Sequence, residues 1–314
     1  MSTNHGSRGG HVPVLLKPVL LGLNIQPGGC YMDGTFGRGG HSREIVRLLN
    51  SDGRLLAIDR DPEAVAAAEP TLRQDPRFEI VQGEIADIRE ITAERNLLGK
   101  VDGLLLDLGV SSPQLDQAER GFSFRTDGPL DMRMDPTSGT SAAEWLARVD
   151  EKGLKKVLRE FGEERFAGRI AKAIVVRRAE RPILRTQDLA DIVEKAAPAR
   201  QSRIHPATKT FQAIRIHVNQ ELPQLEKALA ASIDILRRGG RLCAISFHSL
   251  EDRRVKRFMR NASKVPEAWR GLPSIPRDQR PPLKLVGKAV TATPEEIAAN
   301  PRARSARLRI AERL

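Results

Sequence analysis

A glycine-rich segment that joins an apolar run to a helical pattern most constrains how this chain can fold. It extends from Asp33 to His41 with the sequence DGTFGRGGH, after the strand-like run Gly29–Asp33 and before a helix predicted to begin near Ser42. Glycine has no Cβ, so the backbone can turn sharply and approach a ligand closely. The first N–H groups of the next helix lack partners within the helix and would face that ligand. The segment therefore predicts a strand, a binding loop and a helix in succession.

The next apolar run ends in a carboxylate. Leu55–Asp59 predicts a second buried strand. Asp59 lies about 20 residues beyond the glycines, where dinucleotide-type folds hold a ribose hydroxyl. The unit is therefore typical of a nucleoside-binding site.

The spacing of the glycines distinguishes between nucleoside cofactors. They stand at positions 34, 37, 39 and 40, with Asp33 before them, and do not form the Gly-x-Gly-x-x-Gly pattern of nicotinamide-binding folds. A carboxylate at that point repels a pyrophosphate and attracts a cation. S-adenosylmethionine carries an ammonium and a sulfonium beside its adenosine. The sequence therefore favours this methyl donor over a dinucleotide, with Asp33 and Gly37 among its contacts.

Strand and helix patterns alternate through the first third of the chain. Phe78–Gln82 predicts a third strand and Val101–Leu108 a fourth, which contains Asp107, while Asp61–Leu72 predicts an intervening helix. Such alternation is typical of an α/β fold with a parallel sheet, which binds ligands at the carboxyl ends of its strands. Asp107 and the two earlier aspartates occupy such ends.

The alternation stops after the fourth strand. Residues 114–209 carry helical patterns, and strand character returns at Gly240–Phe247 after a helix predicted over Thr210–Arg237. Ala306–Ala311 alternates like a closing strand. We therefore predict a discontinuous α/β domain, 11–113 and 210–314, interrupted by a helical substrate-recognition domain at 114–209 and preceded by a disordered lead at 1–10.

Composition narrows the class of protein. No apolar stretch among the 314 residues reaches the roughly 18 residues needed to cross a bilayer, and Met1–Gly10 lacks the apolar core of a signal peptide. The two cysteines, Cys30 and Cys243, are far apart, and the six histidines form no metal-binding pattern. We expect a cytoplasmic protein with no membrane partner and no metal.

The net charge of +12 is concentrated at one end of the chain. From Arg253 to Leu314, basic residues outnumber acidic ones by 16 to 5, whereas the first 252 residues are nearly balanced. A basic segment in an otherwise nearly neutral chain is typical of a protein that binds a polyanion, most simply a nucleic acid. From charge alone, a solvated basic tail is an equally good interpretation of this segment.

Several long segments, in one order, resemble a known family. They are DGTFGRGGHS, LLAIDRDPEA, LLLDLGVSSPQLD, RGFSF with DGPLDMRMD, HPATKTFQAIRI, GGRL with ISFHSLEDR, and NPRARSARLRIAE. From about His11 to the C-terminus, the chain is similar to the bacterial 16S rRNA cytosine-N4-methyltransferases, the RsmH or MraW family. The resemblance implies a class I S-adenosylmethionine-dependent methyltransferase, with a Rossmann-like doubly wound sheet and inserted helices. The implied substrate is the exocyclic amine of a P-site cytidine in the small ribosomal subunit.

The resemblance also implies contacts to the cofactor. Ile85 would line the adenine at a position where the family often has an aromatic residue, so an aliphatic contact would replace stacking. The other implied contacts are Gly39, Gly40 and His41 to the methionine part, Asp59 to the ribose, and Asp107 and Gln114 to complete the pocket.

Methylation of a cytosine amine needs acceptors for its N–H groups, because the nitrogen lone pair is delocalised into the ring and must be positioned in line with the methyl group. Other amino-methyltransferases use an Asp-Pro-Pro-aromatic segment after the fourth strand. Asp107 with Ser111, Ser112 and Pro113 stands in that place, and we predict that these residues accept the amine hydrogens. His248, at a later strand end, could take the released proton or hold its loop by hydrogen bonds.

The segment after the fourth strand has no aromatic residue, so a flipped base must stack elsewhere. Phe122, Phe124, Phe247 and His248 are the candidates, although Phe122 and Phe124 could equally form a local core. Phosphate contacts are predicted for Arg120, Arg125, Arg133, Lys209, Arg253, Arg254 and Arg257. The segment around Lys209 could instead only cap the next helix.

Two other functions stay open. A nicotinamide-dependent dehydrogenase is disfavoured by the glycine spacing. An assembly factor that binds ribosomal RNA and keeps the pocket as a structural element would bind the cofactor without transferring methyl groups. For the enzyme, we expect 16S rRNA in the small ribosomal subunit as the partner, and a monomer or weak homodimer.

Overall fold

The structure, a computed structural model, describes residues 13–197, 205–269, 271, 274–276 and 279–314. The lead predicted at 1–10 lies outside the described residues. The chain divides into two compact units, one formed by Met1–Gly109 with Gln224–Leu314 and the other by Val110–Pro223. Among the described helices, none combines the length and the apolar character needed to span a membrane.

An eight-stranded sheet forms the centre of the first unit. Its strands are β1 (Cys30–Asp33), β2 (Arg54–Asp59), β3 (Phe78–Gln82), β4 (Val101–Asp107), β5 (Leu236–Ser246), β6 (Leu283–Leu285), β7 (Val290–Thr291) and β8 (Arg307–Arg313). The order across the sheet is β3-β2-β1-β4-β5-β8-β6, and β7 pairs with β8. β1 to β5 are parallel, whereas β8 is antiparallel to each of its neighbours. The strand order reverses between β1 and β4, where open α/β sheets bind their ligands.

Helices account for most of the remaining described residues. They are α1 (Leu16–Leu23), α2 (Gly40–Leu48), α3 (Pro62–Ala66), α4 (Pro70–Arg73), α5 (Ile88–Glu94), α6 (Ser112–Asp116), α7 (Ala142–Arg148), α8 (Glu151–Gly162), α9 (Ala167–Glu180), α10 (Thr186–Ala196), α11 (Ala207–Val218), α12 (Glu221–Ile235), α13 (Ser249–Ala262) and α14 (Pro294–Ala299).

Both faces of the sheet are covered. Successive residues of a strand point to opposite faces. Leu104 and Leu106 of β4 accordingly pack in one apolar cluster with residues of α5, α12 and α13. Leu105 packs in a second cluster with residues of α1 and α2. This two-sided burial is why β4 is an unbroken apolar run, and the α/β class predicted from the alternation is confirmed.

The second unit is helical, as the loss of strand alternation predicts. One buried cluster joins residues of α7, α8, α9, α10 and α11. Phe211 and Ile214 of α11 belong to this cluster, because α11 packs along α8. The second unit, Val110–Pro223, begins earlier and ends later than the predicted insert 114–209. Within the described part of this unit, the β-pairing is a single bridge between Pro129 and Arg185.

Two of the predicted helices are interrupted, so those predictions were wrong. The helix predicted over Asp61–Leu72 is two short helices, α3 and α4, and Pro70 begins the second of them, where its missing N–H is tolerated. The helix predicted over Thr210–Arg237 is α11 followed by α12. Gln220, between them, has a left-handed φ of 50°, which a continuous helix cannot contain.

Candidate active site

Three aspartates end three adjacent strands of the first unit. Asp33 ends β1, Asp59 ends β2 and Asp107 ends β4. These strands lie in the order β2-β1-β4 and are parallel, so the carboxyl groups gather at one edge of the sheet, where the strand order reverses. The convergence predicted from the sequence is therefore present in the structure.

Asp33 holds the glycine loop in place. Its side chain is 1% exposed, and its Oδ2 accepts a hydrogen bond from the Ser42 hydroxyl at 2.7 Å. Its Oδ1 accepts one from the Thr35 N–H at 3.1 Å. Burial raises the pKa of Asp33, and the hydrogen bond from Ser42 opposes that effect. The sequence predicts a cofactor contact for Asp33, and in the structure its carboxylate links β1 to the first turn of α2.

The glycine loop adopts backbone conformations that other residues rarely take. Gly37 has a φ of 57° and Gly39, which precedes α2, has a φ of 69°. A Cβ on Gly40 would lie 2.5 Å from Cγ of Pro13. The loop therefore needs glycine for its turns and for its close packing. The helix begins at Gly40, two residues before the predicted start at Ser42.

Asp59 accepts two backbone hydrogen bonds. The Gly37 N–H donates to Oδ2 at 2.7 Å, and the Asp61 N–H donates to Oδ1 at 2.9 Å. Burial raises the pKa of Asp59 to about 6, against the effect of these two N–H groups. The carboxylate thus ties β2 to the glycine loop.

Asp107 has the least satisfied carboxyl group at this edge. Its Oδ1 is buried and has no hydrogen-bond partner among the described residues. Its backbone N–H donates to Thr35 Oγ1 at 2.6 Å, which joins β4 to the glycine loop. Burial raises the pKa of Asp107 well above its usual value, and the nearby Asp33 and Glu251 raise it further. An unpaired carboxylate in such a place is costly unless a ligand pairs with it.

His41 lies against Asp107 in the first turn of α2. Its side chain is 6% exposed, its Nε2 is 3.0 Å from the Val14 carbonyl oxygen, and its Nδ1 is 3.6 Å from Asp107 Oδ2. Burial lowers the pKa of His41. The imidazole is therefore held at Nε2 by the Val14 carbonyl oxygen, and its Nδ1 faces the aspartate for which the sequence predicts a catalytic role.

Three polar residues of this site were missed from the sequence. The Thr35 N–H and the Ser42 hydroxyl donate hydrogen bonds to Asp33, and Thr35 Oγ1 accepts one from the Asp107 N–H. Glu251, which is 2% exposed, lies close enough to raise the pKa of Asp107. Thr35 and Ser42 are within or next to the glycine segment, so their position in the sequence could have predicted a role in this site. Glu251 is far from the glycine segment in sequence, so no local pattern predicted its place in the site.

Ile85 lies just beyond β3, in a short 3-10 turn. It is partly buried and packs against the apolar cluster that covers one face of the sheet. The neighbouring Glu84 pairs with Arg60 at 3.1 Å and accepts a hydrogen bond from Gln224, whose Oε1 accepts one from the Ala86 N–H at 3.1 Å. The segment predicted to line the adenine is therefore held in place, with an aliphatic side chain at position 85.

The segment predicted to share the amine hydrogens with Asp107 belongs to the second unit. Ser111 precedes α6, and Ser112 and Pro113 form its first turn. Gln114 is buried, and its Oε1 accepts a hydrogen bond from the Ser111 N–H at 3.0 Å. This hydrogen bond caps α6, so the Gln114 side chain serves the local backbone.

His248 lies directly before α13. Its Nε2 is 3.2 Å from Glu251 Oε1, and Glu251 Oε2 accepts hydrogen bonds from the N–H groups of Phe247 and His248 at 2.8 and 3.3 Å. Phe247 is partly buried against the sheet. Glu251 therefore holds this loop through backbone N–H groups, whereas the His248 ring nitrogens make no hydrogen bond within the described residues. This arrangement gives neither His248 nor Phe247 a fully exposed ring for a base.

The two phenylalanines of the insert pack inside the second unit. Phe122 is 6% exposed, with the Arg120 guanidinium 5.9 Å from its ring centroid. Phe124 packs against the rings of His205 and Phe211, with centroids 4.6 and 4.9 Å away. Both placements favour the local core over an exposed stacking platform.

Three cations of the insert have structural partners. Arg120 is 5% exposed and donates hydrogen bonds to the carbonyl oxygens of Arg133 and Met134 at 3.2 and 2.8 Å. Arg133 Nη2 forms a salt bridge with Asp131 Oδ2 at 2.7 Å. Lys209 Nζ donates to the Glu163 carbonyl oxygen at 3.0 Å, at the end of α8. These contacts hold the unit together, whereas Arg125 is exposed.

α13 carries a cationic face. Leu250, Val255 and Met259 are buried on one side of the helix. The opposite side exposes four basic residues at spacings of three, four and seven: Arg253, Lys256, Arg257 and Arg260. Arg254 lies beside this face and pairs with Glu226 at 2.9 Å. Of the predicted phosphate contacts, those on α13 are therefore best placed to reach a polyanion.

The site fits a cationic nucleoside. It combines an unpartnered buried carboxylate oxygen on Asp107, a glycine loop with left-handed backbone at Gly37 and Gly39, and a carboxylate at the end of β2 where a ribose is expected. The parallel order β3-β2-β1-β4-β5, followed by the antiparallel β8, forms a doubly wound sheet with its binding edge at the acids. Fold and site together define the class as a Rossmann-like methyltransferase.

Comparison with known proteins identifies the family. The model of the MraW methylase family matches residues 8–314, so the chain belongs to the MraW methylase family. Membership confirms the resemblance seen in the sequence, the methyltransferase class and S-adenosylmethionine as the cofactor.

Solved structures also resemble the chain, at low identity. An rRNA methylase from Streptococcus thermophilus is 10% identical with a TM-score of 0.40, over 96% of this chain and 92% of that one. A SAM-dependent methyltransferase from Aquifex aeolicus is 10% identical with a TM-score of 0.42, over 96% and 90%. A protein from Clostridium thermocellum, named as a proposed rRNA methylase, is 11% identical with a TM-score of 0.44, over 95% of both chains.

Proposed function

We propose that this protein methylates the N4 amine of a P-site cytidine in 16S rRNA, with S-adenosylmethionine as the methyl donor. The observation that carries the proposal is the match of the MraW methylase family to residues 8–314, because the sequence motifs in that range resemble the rRNA cytosine-N4-methyltransferases. The cytoplasm is the compartment in which this protein would meet the small ribosomal subunit.

The acids of the first unit would hold the cofactor. Asp59, at the end of β2, would accept the ribose hydroxyls, and Gly39 and Gly40 would contact the methionine part, as the family resemblance implies. When bound, S-adenosylmethionine supplies an activated methyl group on a sulfonium. Asp107 and Asp33 provide negative potential for its positive charges.

The protein's contribution to transfer would be positioning and hydrogen-bond acceptance. Asp107 Oδ1 is the buried acceptor of this edge that lacks a donor in the described residues, so it is suited to receive an N–H of the target amine. That hydrogen bond would favour a more pyramidal nitrogen with an available lone pair.

The basic face of α13 would bind the RNA backbone. Phosphate contacts fix the position of a nucleic acid and carry most of the salt-dependent affinity. The four exposed cations of this face would provide those contacts, while the helical unit contributes through Arg125. The cations that already hold the second unit together would contribute little.

Mass mapping of the modified nucleotides in 16S rRNA tests the proposal. Ribosomes from cells that lack the gene should lose N4-methylation at one P-site cytidine, and the intact gene should restore it. A gene with Asp107→Asn should produce folded protein and restore nothing, whereas Asp234→Asn, which changes an exposed carboxylate in the same unit, should restore the modification.

Two outcomes would contradict the proposal. An unchanged nucleotide map in the deletion strain would remove 16S rRNA as the substrate. Restoration of ribosome maturation by Asp107→Asn without the methyl group would instead indicate an assembly factor that uses the pocket only as a structural element.

A further inference from the structure

The tautomer of His41 follows from its hydrogen bond. Nε2 is 3.0 Å from the Val14 carbonyl oxygen, which can only accept, so Nε2 carries a hydrogen. In the neutral imidazole, Nδ1 is then an acceptor. It faces Asp107 Oδ2 at 3.6 Å, and an ionised carboxylate is also an acceptor only. Two acceptors that face each other at this distance repel unless a proton lies between them.

The surroundings of this pair are acidic. Asp33 approaches from β1 and Glu251 from α13, and both raise the pKa of Asp107. His41 Nδ1 is 3.6 Å from Asp107 Oδ2; burial lowers the pKa of His41, and the nearby Asp33 raises it. Asp107 Oδ1 has no donor in the same part of the chain. A single proton on the pair therefore relieves both the repulsion between acceptors and the excess of negative charge.

We propose that Asp107 and His41 share one proton in the unliganded protein, and that the cationic methyl donor displaces this proton when it binds. The inference rests on the proposed function, in which S-adenosylmethionine is the methyl donor. Before binding, the proton is on Asp107 Oδ2, and His41 Nδ1, 3.6 Å away, is the neighbouring acceptor. On binding, the O–H bond of Asp107 breaks, the proton passes to solvent, and the carboxylate pairs with the positive charge of the ligand. The net charge of the site is unchanged, because the positively charged donor replaces the proton.

This exchange distinguishes the donor from its product. S-adenosylhomocysteine keeps the ammonium but lacks the sulfonium charge, so it should displace less of the proton. Donor affinity should rise with pH while the pair is protonated, by up to tenfold per pH unit for release of one proton. The dependence on pH should be shallower for the product.

Titration calorimetry counts the protons directly. S-adenosylmethionine is titrated into the full chain at pH 7 in phosphate and in Tris, whose enthalpies of ionisation differ, and the difference in apparent binding enthalpy gives the number of protons released. We expect between half a proton and one proton for the unchanged protein, and a smaller number with S-adenosylhomocysteine. Asp107→Asn should bind the donor with no release, whereas Asp234→Asn should release as many protons as the unchanged protein.

Each outcome is decisive. Donor binding with equal apparent enthalpies in the two buffers would overturn the shared proton and leave the methyltransferase proposal intact. Undiminished release by a folded Asp107→Asn variant would also overturn it, because the proton would come from elsewhere. Absence of any binding heat in both buffers would instead contradict the proposed cofactor.

Discussion

The Ser42 hydroxyl donates a 2.7 Å hydrogen bond to the buried carboxylate of Asp33, which joins the end of β1 to the first turn of α2. Ser42→Ala removes this donor and leaves the carboxylate oxygen unsatisfied. We expect the free energy of unfolding to fall by about 1–3 kcal/mol and donor binding to weaken. Urea denaturation and calorimetry measure the two effects. Ser51→Ala, in the exposed turn after α2, should change neither.

Close packing at the start of α2 gives a second prediction. A Cβ at position 40 would lie 2.5 Å from Cγ of Pro13, so Gly40→Ala must displace either the loop or the segment before α1. Overpacking of this kind costs about 1–3 kcal/mol and should reduce donor affinity. Gly28→Ala is the matched control, because its nearest neighbours would lie 3.8 Å away. Equal thermal stability of the two variants would contradict this account of the loop.

The carboxyl of Asp107 should make stability depend on pH. Its pKa in the folded protein is raised, chiefly by burial, so the unfolded chain ionises more readily and the folded state loses stability as pH rises above about 4. Each unit of raised pKa corresponds to about 1.4 kcal/mol. Asp107→Asn removes this penalty. We expect the variant to be more stable than the unchanged protein at pH 8, with a smaller difference at pH 5, although it transfers no methyl groups.

Denaturation curves at the two pH values check this result. A variant that is less stable at pH 8 would show that Asp107 contributes favourable interactions in the folded protein, contrary to the geometry of its unpartnered Oδ1.

The basic face of α13 should appear in the salt dependence of RNA binding. Lys256→Ala with Arg257→Ala removes two exposed cations, and the slope of log affinity against log salt should become shallower by about 1–2. The measurement is a filter-binding or fluorescence titration with 16S rRNA fragments over a range of salt concentrations. A double variant at Arg47 and Lys100, exposed elsewhere in the same unit, should keep the original slope.

Arg120 and Arg125 should separate folding from RNA binding within the second unit. Arg120 is buried and donates to the carbonyl oxygens of Arg133 and Met134, so Arg120→Ala should destabilise the protein by about 2 kcal/mol. Arg125 is exposed, and Arg125→Ala should change stability by no more than about 0.5 kcal/mol. Thermal melting distinguishes them, and a stable Arg120→Ala variant would contradict the structural role.

The strand ends were predictable from the sequence because local patterns determine them. An apolar run that ends in aspartate places its carboxyl group at the sheet edge, and this holds for Asp33, Asp59 and Asp107. The roles of the carboxyl groups were not predictable, because they depend on partners brought together by the fold. Asp33 accepts hydrogen bonds from the Ser42 hydroxyl and the Thr35 N–H, and Glu251 lies near Asp107 from α13.

The helical unit was harder to predict in detail. The break between α11 and α12 falls at Gln220, whose left-handed backbone is unusual for a residue other than glycine, so the sequence contained no clear signal. Arg120 and Phe122 sit in a polar, glycine-rich segment typical of an exposed loop, yet both are buried. Backbone carbonyls and aromatic rings from other segments bury these two side chains, and no local sequence pattern predicts such contacts.

Titration of the purified, folded chain with S-adenosylmethionine tests the central claim most directly, since the account requires the acids at the ends of β1, β2 and β4 to hold a cationic nucleoside. We predict saturable heat with one donor bound per chain, and strongly weakened binding in Asp59→Ala. A folded protein that yields no heat with S-adenosylmethionine or with S-adenosylhomocysteine would contradict it.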